Sequence, residues 1–354
     1  MENTNTKNRI FTIAVESSTW NNIGDAFYQN SIISQLRSIF TECDVVSFDG
    51  PFDRAFRPGK HEKFVFDSRY LVDADHYVFS GPIVGKTFKR RYAPLILEIL
   101  RRGKTYSLLS VHATTDKAIM QEVRQFLEEH PPVAVHTRDH PSFEKLQGIT
   151  PAEMDGICFA FFVDKMPHLP NLSLGKPYIC SSYYRGYEPN FVNVSATATD
   201  LLSSGLELEW PKQLSQRQWR LMRFFEHRRA SPDNVGPWKV VRPVHSFSPL
   251  PQLIFSKANS YISYNPFNFL AIYKYCAGVL TDRVHAGVAG LSFGKPVRVE
   301  QVDGRFKLFE RVPVIHENGF MHLAPGALEP FHLELTDWLK SDFAAAVGVL
   351  PGKV

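Results

Sequence analysis

Short apolar runs alternate along this chain with stretches whose apolar residues recur every three or four positions, the signatures of strands and helices. Phe11–Val15, Asp44–Phe48, Ala74–Phe79, Thr105–Val111 and Val133–Val135 read as strands, and the continuous apolar run Ile157–Val163 as a buried strand closing the first half. Between them, Phe27, Ile32, Ile33, Leu36, Ile39 and Phe40 keep helical spacing, as do Tyr92–Leu100 and Ala118–Leu127, and a short helix follows through Leu146. Met166–Gly175, with two prolines and a glycine, suits a linker. A second series follows: Pro177–Cys180, Trp238–Val241, Leu253–Phe255 and Tyr261–Ser263 as short strands, Gln216–Arg228 and Phe269–Tyr275 as helices. His322–Glu329 reads as a loop and Phe331–Ala344 as an amphipathic helix. Strand and helix alternate, which predicts the α/β class. The expected domains are 10–165 and 176–330, with 331–354 a C-terminal helix and tail. Residues 50–70 are aromatic and charged without a clear period and read as an insertion, and 181–234, outside the expected helix Gln216–Arg228, is the least legible stretch.

The most informative stretch is Val279–Glu300. The apolar run Cys276–Leu280 can end a buried strand; Ala286, Val288, Ala289 and Leu291 form an apolar helical segment, stopped by Gly294-Lys295-Pro296 before a strand at Val297–Glu300. Between strand and helix stand Asp282, Arg283 and His285, with Thr281 or Asp282 able to cap the helix. Ligands of open α/β sheets bind at this end of the strands, and helix N-termini favour anions. Taken singly, Arg283 could equally be a solvated residue and His285 a satisfied neighbour of a site.

Three other strand ends carry polar residues. Asn22, Gly24 and Asp25 follow the first strand, where Asp25 either faces a ligand or merely caps the next helix. Ser80–Gly85 includes Gly81, which permits close approach of backbone to ligand, although no dinucleotide or P-loop glycine pattern is present. His136–His140 contains Arg138 and Asp139; the arginine can grip two oxygens of a carboxylate or phosphate, or simply pair locally.

Composition narrows the field. With 354 residues, 44% apolar and 21% charged, the chain is too long for one ordinary core. Its net charge of +4 does not point to nucleic acid, though it suits a small acidic substrate. The clusters Lys86–Arg91, Arg101–Lys104 and Arg223–Arg229 are explained by solvated helix faces. Cys43, Cys158, Cys180 and Cys276 form no C-x-x-C pair, so neither a metal site nor a disulfide scaffold is expected. The polar first residues and the lack of any long apolar run argue against a signal peptide or transmembrane span and for a cytoplasmic setting.

Asn22-x-Gly24-Asp25, the reduced glycine turn at Ser80–Gly85, Arg138-Asp139 with Ser142 and Leu146, and Asp282–Ala286 with Gly294–Pro296 together resemble the polysaccharide pyruvyl transferase family. The resemblance implies two Rossmann-like domains facing across a cleft, GT-B-like. It also implies transfer of the enolpyruvyl carbons of phosphoenolpyruvate to two sugar hydroxyls, giving a cyclic ketal and phosphate. Asp25 and His285 would be the acid and base, in either order, with Asp25 reaching from the other domain. Arg138, Arg283, Lys307 and Gly81 would hold the donor, supported by Asn22, Gly24, Asp139 and Asp282. No metal or separate cofactor is implied; phosphoenolpyruvate is itself the donor. The acceptor sugar, free or lipid-linked, would bring the protein to the inner membrane face in the second case. The acceptor is least defined, because residues 181–260 do not align with the family pattern. A GT-B glycosyltransferase using a nucleotide sugar and a non-catalytic glycan-binding relative are the alternative readings. Oligomeric state is left open.

Overall fold

A computed structural model describes residues 9–17, 22–55, 60, 63, 65–183, 188–209, 218, 232–245, 258–300 and 304–352. Contacts divide the chain into two units: Met1–Ser18, Tyr28–Phe159 and Glu329–Val354 form the first; Thr19–Phe27 and Ala160–Leu328 form the second.

The first unit is built on six parallel strands: β1 (Thr12–Ser17), β2 (Asp44–Asp49), β3 (His76–Val84), β4 (Thr105–Ala113), β5 (Ala134–Thr137) and β6 (Ala152–Asp155), in the order β2-β1-β3-β4-β5-β6. Helices α1 (Ile23–Ile39), α2 (Ala93–Arg101), α3 (Lys117–Glu129) and α4 (His140–Leu146) connect them. β1, β3, β4 and β5 are buried along nearly their whole length, as expected of parallel strands covered on both faces, while the edge strands β2 and β6 are only partly buried. Their core includes Tyr77, Phe79, Phe88, Tyr92, Tyr106, Leu108 and Leu127.

Three sequence expectations change here. Ile157–Val163 is not a strand: Phe159–Lys165 is a 3-10 segment, and the closing strand is β6. The cross-over between units falls at Phe159/Ala160, so Met166–Gly175 lies inside the second unit. Residues 329–354 cluster with the first unit rather than standing apart. Their helix α7 (Glu329–Trp338) continues as a π turn, Leu339–Phe343. Phe343 packs its ring on Phe40, His76 and Trp338, and Trp338 packs on His136.

The second unit has a mostly parallel sheet. Its strands are β7 (Tyr178–Ser182), β8 (Asn190–Val192), β9 (Glu207–Glu209), β10 (Asn234–Val235), β11 (Trp238–Pro243), β12 (Ser260–Tyr261), β13 (Val279–Thr281), β14 (Val297–Val299), β15 (Val314–Glu317) and β16 (Phe320–Leu323). The order is β10-β11-β7-β13-β14-β16-β15; β12 pairs with β11, and β8 and β9 form a separate ribbon. The run β11-β7-β13-β14 is parallel, and the edges at β10 and at β16-β15 are antiparallel. His322 therefore belongs to a hairpin strand, not a loop. Helices α5 (Pro266–Tyr275) and α6 (Val284–Ser292) flank the central strands. The expected strand Leu253–Phe255 and nearly all of the expected helix Gln216–Arg228 lie outside the described residues. The chain thus has two Rossmann-like α/β units.

Candidate active site

In the second unit, β13 delivers Thr281, Asp282 and Arg283 to the start of α6. Gly287 and Gly290 let that helix lie close to the sheet: a Cβ on Gly290 would stand 2.7 Å from Val297 and 2.9 Å from Val279. Arg283, rather than Thr281 or Asp282, occupies the cap position of α6, without a side-chain cap bond, and its N–H donates to Thr281 Oγ1 at 2.9 Å. Asp282 is buried, Arg283 half-buried, and His285 is buried one residue into α6.

Asp25 meets His285 directly, with Oδ1 and Nδ1 3.8 Å apart and both side chains about 7% exposed. Asp25 was expected from the other domain; its segment belongs to the second unit. The cause is local anchoring. Ile23 N–H donates to the carbonyl of His245 at 3.0 Å, and the Phe27 ring packs edge-on against His245 and Tyr273. Asp25 is not the helix cap either. It sits in the first turn of α1, while Asn22 Oδ1 accepts from Gly24 N–H at 3.2 Å. Gly24 lies close against the His285 ring, so that any larger residue there must displace the imidazole.

His245 and Tyr273, which no local sequence pattern singles out, complete this centre. His245 is buried, with Nε2 2.5 Å from the Tyr273 hydroxyl. Burial first, then the nearby charges of Arg283 and His285, pushes its pKa well down, so it is neutral. Lys307 is exposed on a 3-10 segment, Gly304–Arg311, whose Phe306, Leu308 and Phe309 are buried.

The remaining expected residues belong to the first unit. Gly81 is within β3, not in a loop after it. Its φ of +82° and the Tyr28 hydroxyl, 2.1 Å from where a Cβ would be, explain the glycine without a ligand. Arg138 is buried at the end of β5, with Nε 3.8 Å from Asp139 Oδ2. Asp139 caps α4 and accepts from Ser142 N–H at 3.0 Å and from Ser142 Oγ at 2.7 Å. His112, at the end of β4, places Nδ1 2.8 Å from Asp139 Oδ2. Burial opposes the Asp139 charge, but the bonds from His112 and Ser142 and the charges of His112 and Arg138 outweigh it and hold its pKa below the usual range. His112 was not foreseen, because in sequence it is one polar residue ending an apolar strand. Among the described residues no group of three or more His, Cys, Asp or Glu is placed to hold a metal.

These two units, each a largely parallel sheet flanked by helices, define a Rossmann-like α/β protein. The model of one family, polysaccharide pyruvyl transferase, matches residues 22–300, and the chain belongs to that family. No curated protein matches it. Among solved structures, UDP-GlcNAc 2-epimerase from Methanocaldococcus jannaschii is 10% identical, with 92% of each chain covered and a TM-score of 0.45. UDP-GlcNAc 2-epimerase from Neisseria meningitidis bound to UDP-GlcNAc is 10% identical, covering 96% of this chain and 93% of that one, with a TM-score of 0.45. The E. coli ADP-heptose LPS heptosyltransferase II is 9% identical over 96% of this chain and 98% of that one, at a TM-score of 0.34. Likenesses this distant say nothing of activity.

Proposed function

We propose that the protein transfers the enolpyruvyl carbons of phosphoenolpyruvate to two hydroxyls of a sugar, forming a cyclic ketal and releasing phosphate. The observation that carries this reading is the Asp25–His285 contact beside Arg283, in a member of the pyruvyl transferase family.

The reaction needs two proton transfers. One hydroxyl adds across the donor's double bond: its oxygen joins C2 and a proton goes to the methylene carbon. The second hydroxyl then displaces phosphate from C2, and its proton leaves with the products. Asp25 and His285 supply an acid and a base within one buried pair, and either order satisfies the balance. Their 3.8 Å separation exceeds a hydrogen bond, a spacing that often tightens when substrate binds. Arg283 and the first turn of α6 offer a cation and backbone N–H groups to an anionic end of the donor. Arg138 is the corresponding anion-holding residue proposed in the first unit, and Lys307 a weaker candidate because it is exposed.

The test is phosphate release from phosphoenolpyruvate against a panel of sugar acceptors, with thermal unfolding in the presence of the donor alone. The expected result is release with at least one acceptor, and a donor-induced rise in Tm that is clearly reduced in Arg283→Ala. Absence of both release and any Tm shift overturns the proposal.

A further inference from the structure

His112, Asp139, Ser142 and Arg138 form a second group of chemically active side chains, wholly within the first unit. Their hydrogen bonds fix the tautomer. Ala113 N–H donates to Ser142 Oγ at 2.9 Å, and the single Ser142 hydroxyl proton points to Asp139 Oδ1 at 2.7 Å. Asp139, held ionised, only accepts. His112 Nδ1, 2.8 Å from Asp139 Oδ2 and 3.2 Å from Ser142 Oγ, must therefore carry a proton in either charge state. The nitrogen that gains and loses a proton is Nε2, on a side chain that is 28% exposed beside a 6%-exposed Asp139.

Arg138 completes the arrangement. Its Nε faces the same Asp139 oxygen as His112 does, but at 3.8 Å, too far for a hydrogen bond. That Nε is buried and has no hydrogen-bond partner among the described residues. Asp139 already receives its bonds from Ser142 and His112. The Arg138 Nε is thus a buried donor short of an acceptor, on a guanidinium ion-paired with Asp139, next to an imidazole with one fixed and one exchangeable proton. An external oxyanion satisfies the first group, and the second can protonate it.

We infer that His112, oriented by Asp139, is an acid–base residue acting on a phosphoryl oxygen held by Arg138. The phosphoryl group is either free phosphate or that of the donor. Assigning it to the donor rests on the proposed function. In that case the C2–O bond to phosphate breaks with its electron pair on the oxygen, and His112 Nε2 supplies a proton to form hydrogen phosphate. The incoming hydroxyl oxygen bonds to C2, its proton passes to the base, and His112 is reprotonated from solvent.

The test uses the full chain with His112→Asn, His112→Ala and Arg283→Ala. Thermal unfolding with inorganic phosphate should show a Tm rise that is reduced in His112→Asn and retained in Arg283→Ala. In turnover with phosphoenolpyruvate, His112→Asn should lower kcat by about 100-fold, far more than it raises KM. Added imidazole should restore part of the activity of His112→Ala. A phosphate shift lost in Arg283→Ala but kept in His112→Asn overturns the inference while leaving the proposed function standing. So does turnover of His112→Asn within about twofold of the parent, or a loss that imidazole does not rescue. If the parent neither turns over the donor nor is stabilised by it, the proposed function fails, and the phosphate arm alone decides for or against His112 as a phosphoryl-binding residue.

Discussion

Gly24 lies so close to His285 that a Cβ placed on it would stand 3.0 Å from Nδ1 and 3.1 Å from Cβ of the imidazole. One residue further along α1, Asp25 approaches the same ring. The helix start and the histidine are therefore fitted to one another, and the fit depends on a missing methyl group. Gly24→Ala should fold, because its backbone is helical and alanine is favoured over glycine there by up to about 1 kcal/mol. The added methyl must push the imidazole by a few tenths of an ångström. Turnover is expected to fall at least about tenfold while Tm stays within a few degrees. Unchanged kcat would show that the position of His285 does not matter to the reaction.

Asp25→Asn keeps the side chain's size and removes its charge and proton. If the carboxylate is acid or base, kcat falls by about 100-fold or more, while the donor-induced Tm shift assigned to Arg283 persists. Loss of both together would instead make Asp25 a structural support of α1. The measurement is steady-state phosphate release beside thermal unfolding with and without donor.

The Val279–Glu300 block was legible because strand, turn and helix follow in unbroken order, with charges only at the junction. Asp25 was legible as a site residue but not as a neighbour of His285 within one unit. That depends on the His245 carbonyl holding Ile23, a contact across more than two hundred positions. Ile157–Val163 misled because a continuous apolar run shows burial without showing period: all of it is buried, and Phe159–Val163 is 3-10. The strand that replaces it, β6, is short and at the sheet edge, with Glu153 and Asp155 half-buried in alternation. His112 and Asp139 are 27 positions apart and meet because β4 and β5 are adjacent and parallel. No local pattern announces such a pair.

Between 181 and 245 the sequence was opaque for a related reason: the elements among the described residues are two to six residues long, and side-chain bonds tie their neighbourhood together. Arg242 and Glu188 make a buried ion pair at 2.9 Å, with Ser181 Oγ also donating to Glu188 and Arg242 reaching the carbonyls of Ala258 and Pro232. Both side chains are only about 5% exposed. Arg242→Met leaves the carboxylate buried without its cation and should cost about 3–5 kcal/mol. Replacing both, as Arg242→Met with Glu188→Leu, should cost clearly less. Denaturant midpoints of the two variants decide the matter, and equal losses would mean the two groups act independently.

Acid should weaken the fold before carboxylates titrate. Burial lowers the pKa of His76 from 6.5 to about 3. Between those values the unfolded chain binds a proton that the native state refuses, so stability is lost as pH falls from about 6.5 toward 3. His245, lowered well below its ordinary value by burial and by the charges of Arg283 and His285, contributes with the same sign. Asp75 and Asp139 have lowered pKa values, so their contributions are lost only below the ordinary carboxylate range. Burial raises Asp164 and Glu300, which makes them work in the opposite direction through part of the window. The informative quantity is therefore a difference between two proteins. His76→Gln removes the titrating group and can still meet Thr105 Oγ1, which lies 2.8 Å from His76 Nδ1 in the parent. Unfolding midpoints from pH 7 to 4.5 should fall less steeply in His76→Gln than in the parent. Parallel curves would mean that His76 takes up its proton in the native state and is not held neutral by its burial.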